Sequence, residues 1–303
     1  MIPVQFDYIA PENIKAAITL LNKNEGARIL AGGHSLIEAM KQGSISPSLL
    51  IDLQKITDLQ GIKHSGETSG ILQIAAMTTY AQVAFNPTIK ENYHALAEAA
   101  NSIGDAQIRN WGRVGDIFAY RDLARDLPAV LLALKATLKT VGQDRTRVLS
   151  VDEFISLCLQ KQWELNEFVI SIDFSPFVSG TGSAYESVRH PASNHAICGV
   201  AVLVEPSANN AIGKCRVAVT GATSHAIRLS QVEAAIEGKT PIAENIAAAA
   251  KLATKNVITA KETNQRLTIL SDFYASAEYR THLIGVLTKR ALTRTIERVM
   301  FDA

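Results

Sequence analysis

Two short turns, separated by about eighty residues, contain glycines where the main chain can approach a phosphate group. The first is Ala31-Gly32-Gly33-His34-Ser35, which follows a strand-like run, and the second is Gly112-Arg113-Val114-Gly115-Asp116, which follows a helix-like run. Glycine has no Cβ and adopts positive φ at little cost, so main-chain N–H groups can converge on phosphate oxygens. The pair of turns therefore indicates a nucleotide site with two halves.

Each turn also leaves an alternative open. The first matches neither G-x-G-x-x-G nor G-x-x-x-x-G-K-[ST], and a tight turn without a ligand would use Gly-Gly as well. His34 has no carboxylate near it in the sequence, so we interpret it as a supporting or surface residue rather than a catalytic base. The carboxylate of Asp116 would be unfavourable beside a pyrophosphate, which predicts that the second half of the site is altered or disabled.

Charged residues cluster around the second turn, and they include four arginines: Arg109, Arg113, Arg121 and Arg125. These can pair with Asp116, bind an anion or cover a solvated face. Asp122 and Asp126 have the spacing of an acid and a base on one helical face, if that segment is helical. Because Asp126 precedes Leu127-Pro128, we interpret it as a helix cap or as a hydrogen-bond acceptor for a sugar hydroxyl.

Composition bounds the function. Of the 303 residues, 47% are hydrophobic and 19% are charged, and the net charge is +1. So small a net charge provides no general positive electrostatic field to attract nucleic acid. A basic region followed by an apolar signal segment is absent from the start, and no apolar run approaches the ~20 residues of a membrane span. We therefore expect a cytoplasmic protein whose ligand is small or is another protein.

Three widely spaced cysteines provide no paired C-x-x-C arrangement for zinc or an iron–sulfur cluster. We expect no metal in this chain and interpret Cys158, Cys198 and Cys215 as buried free thiols. Serine-protease, zinc-protease and kinase motifs are also absent from the sequence, so hydrolase functions are not indicated.

Hydrophobic patterns and turn residues predict three structural units. Residues 1–55 have the pattern of a β-α-β unit that contains the first turn, and residues 56–176 have the pattern of a second α/β unit that contains the second turn. The loop rich in small residues before 183 begins a third unit, 177–303. That unit has three strand candidates at hairpin-like spacing, followed by helices almost to the end.

Seven segments, in this order, resemble the FAD-binding medium subunit of molybdenum hydroxylases, of the carbon monoxide dehydrogenase and xanthine dehydrogenase type: IPVQFDYIAPENIKAAITLL, AGGHSL, LQIAAMTTYAQV, IGDAQIRNWGRVGD, DLPAVLLAL, SAYESVRH and SAEYRTHLIGVLTKRAL. The resemblance implies an α+β fold of the VAO/PCMH FAD-binding type, in which two α/β subdomains hold the dinucleotide and a C-terminal antiparallel sheet with helices completes the flavin pocket. It also implies an electron-transfer flavoprotein subunit with an iron–sulfur small subunit and a molybdopterin large subunit as partners.

By position, the resemblance assigns FAD binding to three sets of residues: Ala31, Gly32, Gly33, His34, Ser35 and Leu36; Arg113, Val114, Gly115, Asp116 and Ile117; and Asp126, Ser187 and His195. Arg113, Asp116 and Ile117 depart from the usual Thr-Ile-Gly-Gly-Asn of the family. Ser187 and His195 stand where the family commonly has lysine and tyrosine. The alternative function is therefore a cofactor-impaired homologue on the same fold, with a non-redox binding or partner role.

Overall fold

A computed structural model describes residues 2–64, 70–164, 166–207, 210–263 and 267–299. The chain forms two compact units, and we describe each by itself. The first contains Met1–Gln82, Ala106–Asp122 and Ala136–Ser175. The second contains Val83–Asp105, Leu123–Lys135 and Pro176–Ala303.

The strands are β1 (Asp7–Ile9), β2 (Ala27–Leu30), β3 (Leu49–Asp52), β4 (Ile62–His64), β5 (Leu72–Ala75), β6 (Thr137–Val141), β7 (Thr146–Ser150), β8 (Phe168–Phe174), β9 (Gly182–Arg189), β10 (Ala196–Ser207), β11 (Ala211–Thr220) and β12 (Ile227–Arg228). The α-helices are α1 (Ile14–Lys23), α2 (Leu36–Gln42), α3 (Tyr80–Phe85), α4 (Pro87–Asn92), α5 (His94–Ser102), α6 (Ala106–Trp111), α7 (Asp116–Tyr120), α8 (Asp126–Ala133), α9 (Val151–Leu159), α10 (Ser230–Ile236), α11 (Ala243–Ala250), α12 (Leu252–Thr263) and α13 (Ala277–Arg298).

A three-stranded parallel sheet, in the order β1-β3-β2, forms the start of the first unit. Helix α1 begins where Asn13 accepts the N–H of Ala16 at 2.9 Å, and its buried Ala17 and Leu21 pack in the core beside the sheet. Strands β2 and β3 are parallel, and their last residues, Leu30 and Asp52, are register partners. The first glycine turn and Asp52 therefore leave the sheet at one edge.

A five-stranded antiparallel sheet, in the order β4-β5-β8-β6-β7, completes the first unit. Helix α9 follows β7 through a capping box in which Ser150 and Glu153 satisfy each other's main-chain N–H groups. Phe154 of α9 packs edge-on against Phe118 of α7, with ring centroids 5.2 Å apart. The short helix that follows the second turn is thereby attached to the core of this unit.

The second unit contains a four-stranded antiparallel sheet, in the order β12-β11-β10-β9. The three strand candidates of the sequence are present as β9, β10 and β11, and the long helix α13 packs against β9 and β10. Buried Arg280 of α13 donates to the carbonyl oxygens of Ile197 and Gly221, each at 2.7 Å, and pairs with Asp272. Its charge is therefore satisfied inside the unit.

Three further expectations can be compared with the described residues. No helix in them is long and apolar enough to cross a membrane. No group of three His, Cys, Asp or Glu side chains in that part of the chain is placed to hold a metal ion. All three cysteines are free; Cys198 and Cys215 are buried, whereas Cys158 is only partly buried, which corrects the expectation for that residue. Burial raises the pKa of the Cys158 thiol to about 11.

Candidate cofactor site

The first turn connects β2 to α2 through two glycines in the left-handed region. Gly32 has φ +82° and Gly33 has φ +85°, which L side chains rarely adopt. Ala31 and Leu36, at the two ends, are buried, and His34 is exposed between them. The exposed position agrees with the interpretation of His34 as a surface residue. Core packing thus fixes both ends of the turn, and within it Gly33 is buried while His34 faces outward.

The second turn is hydrogen-bonded to the segment that follows β5. The Val114 N–H donates to the Thr78 carbonyl at 3.0 Å, and the Gly115 N–H donates to the Ala76 carbonyl at 2.8 Å. A Cβ on Gly115 would lie 2.7 Å from the same Ala76 oxygen. Only glycine therefore fits at this position without displacement of the main chain.

The two turns lie against each other in the first unit. The Trp111 indole donates from Nε1 to the Gly32 carbonyl at 3.0 Å. A Cβ on Gly32 would lie 3.1 Å from the Arg113 nitrogen, so the main chains approach closely here. The Ser35 N–H donates to Oδ2 of Asp116 at 2.9 Å. The structure therefore brings together the first two sets of predicted residues, although about eighty positions separate them.

Asp116 is the charged group at this junction and is only 2% exposed. Its main-chain N–H donates to the Arg113 carbonyl at 3.1 Å, and its neighbours Val114 and Ile117 are buried. The N–H groups of residues 114, 115 and 116 are thus donated to carbonyl oxygens of the protein itself. Three main-chain donors of the second turn therefore do not point to a ligand in this arrangement.

Arg113 and Asp52 bring opposite charges to the same region. Burial lowers the pKa of the half-buried Arg113 guanidinium, and the Asp52 charge acts in the opposite direction. The Asp52 carboxylate accepts from the Tyr8 hydroxyl at 2.7 Å and from the Gln54 N–H at 2.9 Å. The first of these bonds raises the pKa of Tyr8. No local motif marks Asp52 in the sequence, although its place at the end of a strand parallel to β2 is a usable signal.

Asp126 lies in the second unit and is not the cap of α8. The cap residue is Arg125, and the helix begins at Asp126 itself. The buried Asp126 carboxylate instead accepts from the Tyr185 hydroxyl at 2.7 Å and pairs with Arg189. The cap prediction is wrong because the helix starts at Asp126, one residue earlier than Leu127-Pro128 suggested. No continuous helix joins Asp122 to Asp126, since α7 ends at Tyr120.

Tyr185 reaches Asp126 because a neighbouring strand leaves room for it. A Cβ on Gly199 of β10 would lie 2.1 Å from the Tyr185 hydroxyl oxygen. Burial, followed by the Asp126 charge, raises the pKa of Tyr185 well above its ordinary value. Neither Tyr185 nor Gly199 was identified from the sequence, because their contact depends on the register between β9 and β10.

Ser187 and His195, the remaining predicted positions, lie on the same hairpin of the second unit. Ser187 is half-buried on β9, opposite Gly199. His195 is exposed at the end of the connection to β10, and its carbonyl oxygen accepts the His190 N–H at 2.9 Å. Asn194 adopts φ +56° before it and donates from Nδ2 to the Gly104 carbonyl at 2.7 Å. The cofactor roles of Ser187 and His195 stay predictions.

The converging glycine turns of an α+β unit, in a chain that continues into an antiparallel sheet with helices, define a nucleotide-cofactor protein. Comparison with known proteins identifies its family. Residues 4–175 match the family described as FAD binding domain in molybdopterin dehydrogenase, and residues 183–295 match the CO dehydrogenase flavoprotein C-terminal domain. The chain belongs to this family of FAD-binding medium subunits, and FAD is the cofactor of its class.

Individual relatives align over almost the whole chain. The carbon monoxide dehydrogenase medium chain of Hydrogenophaga pseudoflava is 33% identical over 293 residues, which cover 96% of this chain and 97% of the relative. The 6-hydroxypseudooxynicotine dehydrogenase complex subunit alpha of Paenarthrobacter nicotinovorans is 31% identical, over 98% of this chain and 97% of the relative.

Solved structures confirm the fold. A carbon monoxide dehydrogenase from Hydrogenophaga pseudoflava matches with a TM-score of 0.87 and 32% identity, over 99% of this chain and 100% of that chain. The α+β FAD-binding fold expected from the resemblance is therefore correct. The first turn has a backbone conformation that suits a pyrophosphate, because Gly32 and Gly33 both have positive φ. The second turn fits less well, since Asp116 already accepts the Ser35 N–H.

We predict that Gly115→Ala destabilises the protein, because the new Cβ would collide with the Ala76 carbonyl at 2.7 Å. Overpacking of this kind costs about 1–3 kcal/mol. Gly142→Ala is the matched control in the same unit, since its Cβ would meet nothing closer than 3.6 Å. Chemical unfolding monitored by circular dichroism measures both. Equal midpoints for the two variants would contradict the proposed backbone contact.

A second prediction concerns alkaline unfolding. The pKa of Tyr185 is raised in the folded state, so above pH 10 the unfolded state loses this proton while the folded state keeps it. Tyr185 therefore makes the free energy of unfolding fall as pH rises, by up to about 1.4 kcal/mol per pH unit. Tyr185→Phe should be less stable at pH 7, by about 1 kcal/mol for the lost hydrogen bond, but should have a shallower slope above pH 10.

Exposed Tyr279→Phe is the control for this prediction, since its side chain lies on the outer part of α13. Urea unfolding at several alkaline pH values gives the slopes for the wild type and both variants. A Tyr185→Phe slope as steep as that of the wild type would exclude Tyr185 as a source of the pH dependence.

Proposed function

We propose that this chain is the FAD-carrying electron-transfer subunit of a molybdenum-hydroxylase-type oxidoreductase. The observation that carries the proposal is the contact between the two glycine turns within a domain of the FAD-binding family. A tight turn without a ligand would explain Gly32 and Gly33 alone. It would not explain why a second glycine turn, far along the chain, is packed onto the first.

The residues that would hold FAD follow from this geometry. The main chain from Gly32 to Ser35 would face the pyrophosphate, and the Trp111 indole fixes the Gly32 carbonyl so that the turn keeps its shape. When bound, FAD supplies a flavin that accepts electrons and passes them on. Asp126, Ser187 and His195 are proposed to contact other polar parts of the cofactor. The Asp126 carboxylate already accepts from the Tyr185 hydroxyl and pairs with Arg189, so the cofactor would be a further partner of that carboxylate.

Partner subunits are part of the proposal. The relatives carry the names medium chain and complex subunit, which indicates that they work within larger assemblies. We propose that this chain likewise assembles with an iron–sulfur small subunit and a molybdopterin large subunit, and that its flavin receives their electrons. A cytoplasmic location and domain boundaries near residues 55 and 176 are proposed with it.

FAD binding is tested by equilibrium dialysis of the purified chain against FAD, with FMN as the matched ligand that lacks the pyrophosphate and adenosine. We expect FAD to be retained in a one-to-one ratio and FMN to bind more weakly, because only FAD places a pyrophosphate on the turns. The bound form should be yellow. A chain that retains no FAD at saturating concentration, while circular dichroism shows that it is folded, would contradict the proposal.

Assembly is tested by isolation of the tagged chain from its native host, followed by metal analysis. We expect iron and molybdenum to co-purify in constant ratio to the chain through gel filtration, because both metals belong to the proposed partners. Exposed Lys251→Ala serves as a surface control that should leave the ratio unchanged. A chain that elutes alone and metal-free, with its flavin, would leave FAD binding intact but overturn the complex.

A further inference from the structure

We propose that the Asp116 carboxylate competes with the FAD pyrophosphate for the first glycine turn and thereby weakens FAD binding by this chain. The inference rests on the proposed function, because it concerns the same turns. It adds a specific residue that sets the affinity of the site for diphosphate-containing ligands.

The competition follows from one hydrogen bond. The Ser35 N–H donates to Oδ2 of Asp116 at 2.9 Å, which is an ordinary bond between a main-chain amide and an anionic oxygen. A phosphate oxygen bound at this turn would require the same kind of donor in the same place. A main-chain amide has one proton, so it cannot serve both acceptors at full strength.

Charge adds to the competition. Asp116 is 2% exposed, so water screens its carboxylate poorly from anything bound at the adjacent turn. A pyrophosphate that approaches Ser35 therefore meets a like charge as well as an occupied donor. Arg113 is the one basic residue of the second turn, and its guanidinium interacts with the Asp52 charge.

The second turn holds the carboxylate in this position. The main chain at 114, 115 and 116 is fixed by hydrogen bonds to the carbonyls of Thr78, Ala76 and Arg113. Gly115 is in close contact with the Ala76 carbonyl, and the residues that flank Gly115-Asp116, Val114 and Ile117, are buried. Asp116 therefore cannot move away from Ser35 through a shift of its own main chain. It must rotate its side chain out of a buried position.

The test measures the binding of three ligands to flavin-free wild type, Asp116→Gly and Asp116→Asn by titration calorimetry. FAD and ADP contain a diphosphate, whereas riboflavin contains the flavin ring without any phosphate. We expect Asp116→Gly to bind FAD and ADP at least about tenfold more tightly than the wild type, and riboflavin equally. Asp116→Asn removes the charge and keeps an acceptor, so it should show a smaller gain.

Asp173→Asn is the matched control, because Asp173 is a half-buried carboxylate of the same unit that accepts from the Gln73 amide. It should leave all three affinities unchanged. Thermal unfolding by circular dichroism establishes that each variant is folded, and the isosteric Asp116→Asn keeps the test decisive if Asp116→Gly does not fold.

Each outcome separates the inference from the function on which it rests. Equal FAD affinity in the wild type and both Asp116 variants would overturn the competition while FAD binding stands. A gain for riboflavin as large as that for FAD would also overturn it, because the effect would not act on phosphate. Folded wild type and variants that all fail to bind FAD would overturn the function and the inference together.

Discussion

The close approach of two main-chain turns is the constraint on which the candidate site depends. Gly32 lies so near the second turn that a Cβ would come within 3.1 Å of the Arg113 nitrogen, and a Cβ on Gly115 would lie 2.7 Å from the Ala76 carbonyl oxygen. Both contacts exist only because these residues have no side chain. The bonds from Trp111 to Gly32 and from Ser35 to Asp116 require the same approach, so they depend on the glycines too.

Strand direction explains why the approach occurs where it does. The parallel pairing of β2 and β3 delivers the first turn and Asp52 to one edge of their sheet, in the way that open α/β sheets place ligands at strand ends. The segment after β5 supplies the carbonyls to which the second turn is bonded. Each turn is thus held by a rigid element, and the polar groups on it have little freedom to rearrange.

Local patterns predicted strands β9, β10 and β11 and the helices that follow them, because caps, turn residues and hydrophobic periods act over a few residues. They could not predict the bond from Ser35 to Asp116, which joins positions 81 apart. They misled at Asp126, where Leu127-Pro128 favoured a cap but tertiary partners, Tyr185 and Arg189, took the carboxylate. The family resemblance placed the turns together because it carries long-range information that a single sequence pattern does not.

The hydrogen bond between Ser35 and Asp116 has opposite effects on two properties of the chain. It stabilises the ligand-free turns, and it lowers their affinity for a diphosphate. Without a ligand, the Ser35 amide donates to Oδ2 of the buried Asp116 carboxylate, so this donor and this oxygen are both paired. Asp116 also begins α7, where a negative charge is favourable. Glycine at position 116 would lack both interactions in the ligand-free protein, and the Ser35 N–H would then be available to a ligand. The residue that pairs the Ser35 donor in the empty turns is therefore the one that resists their occupation.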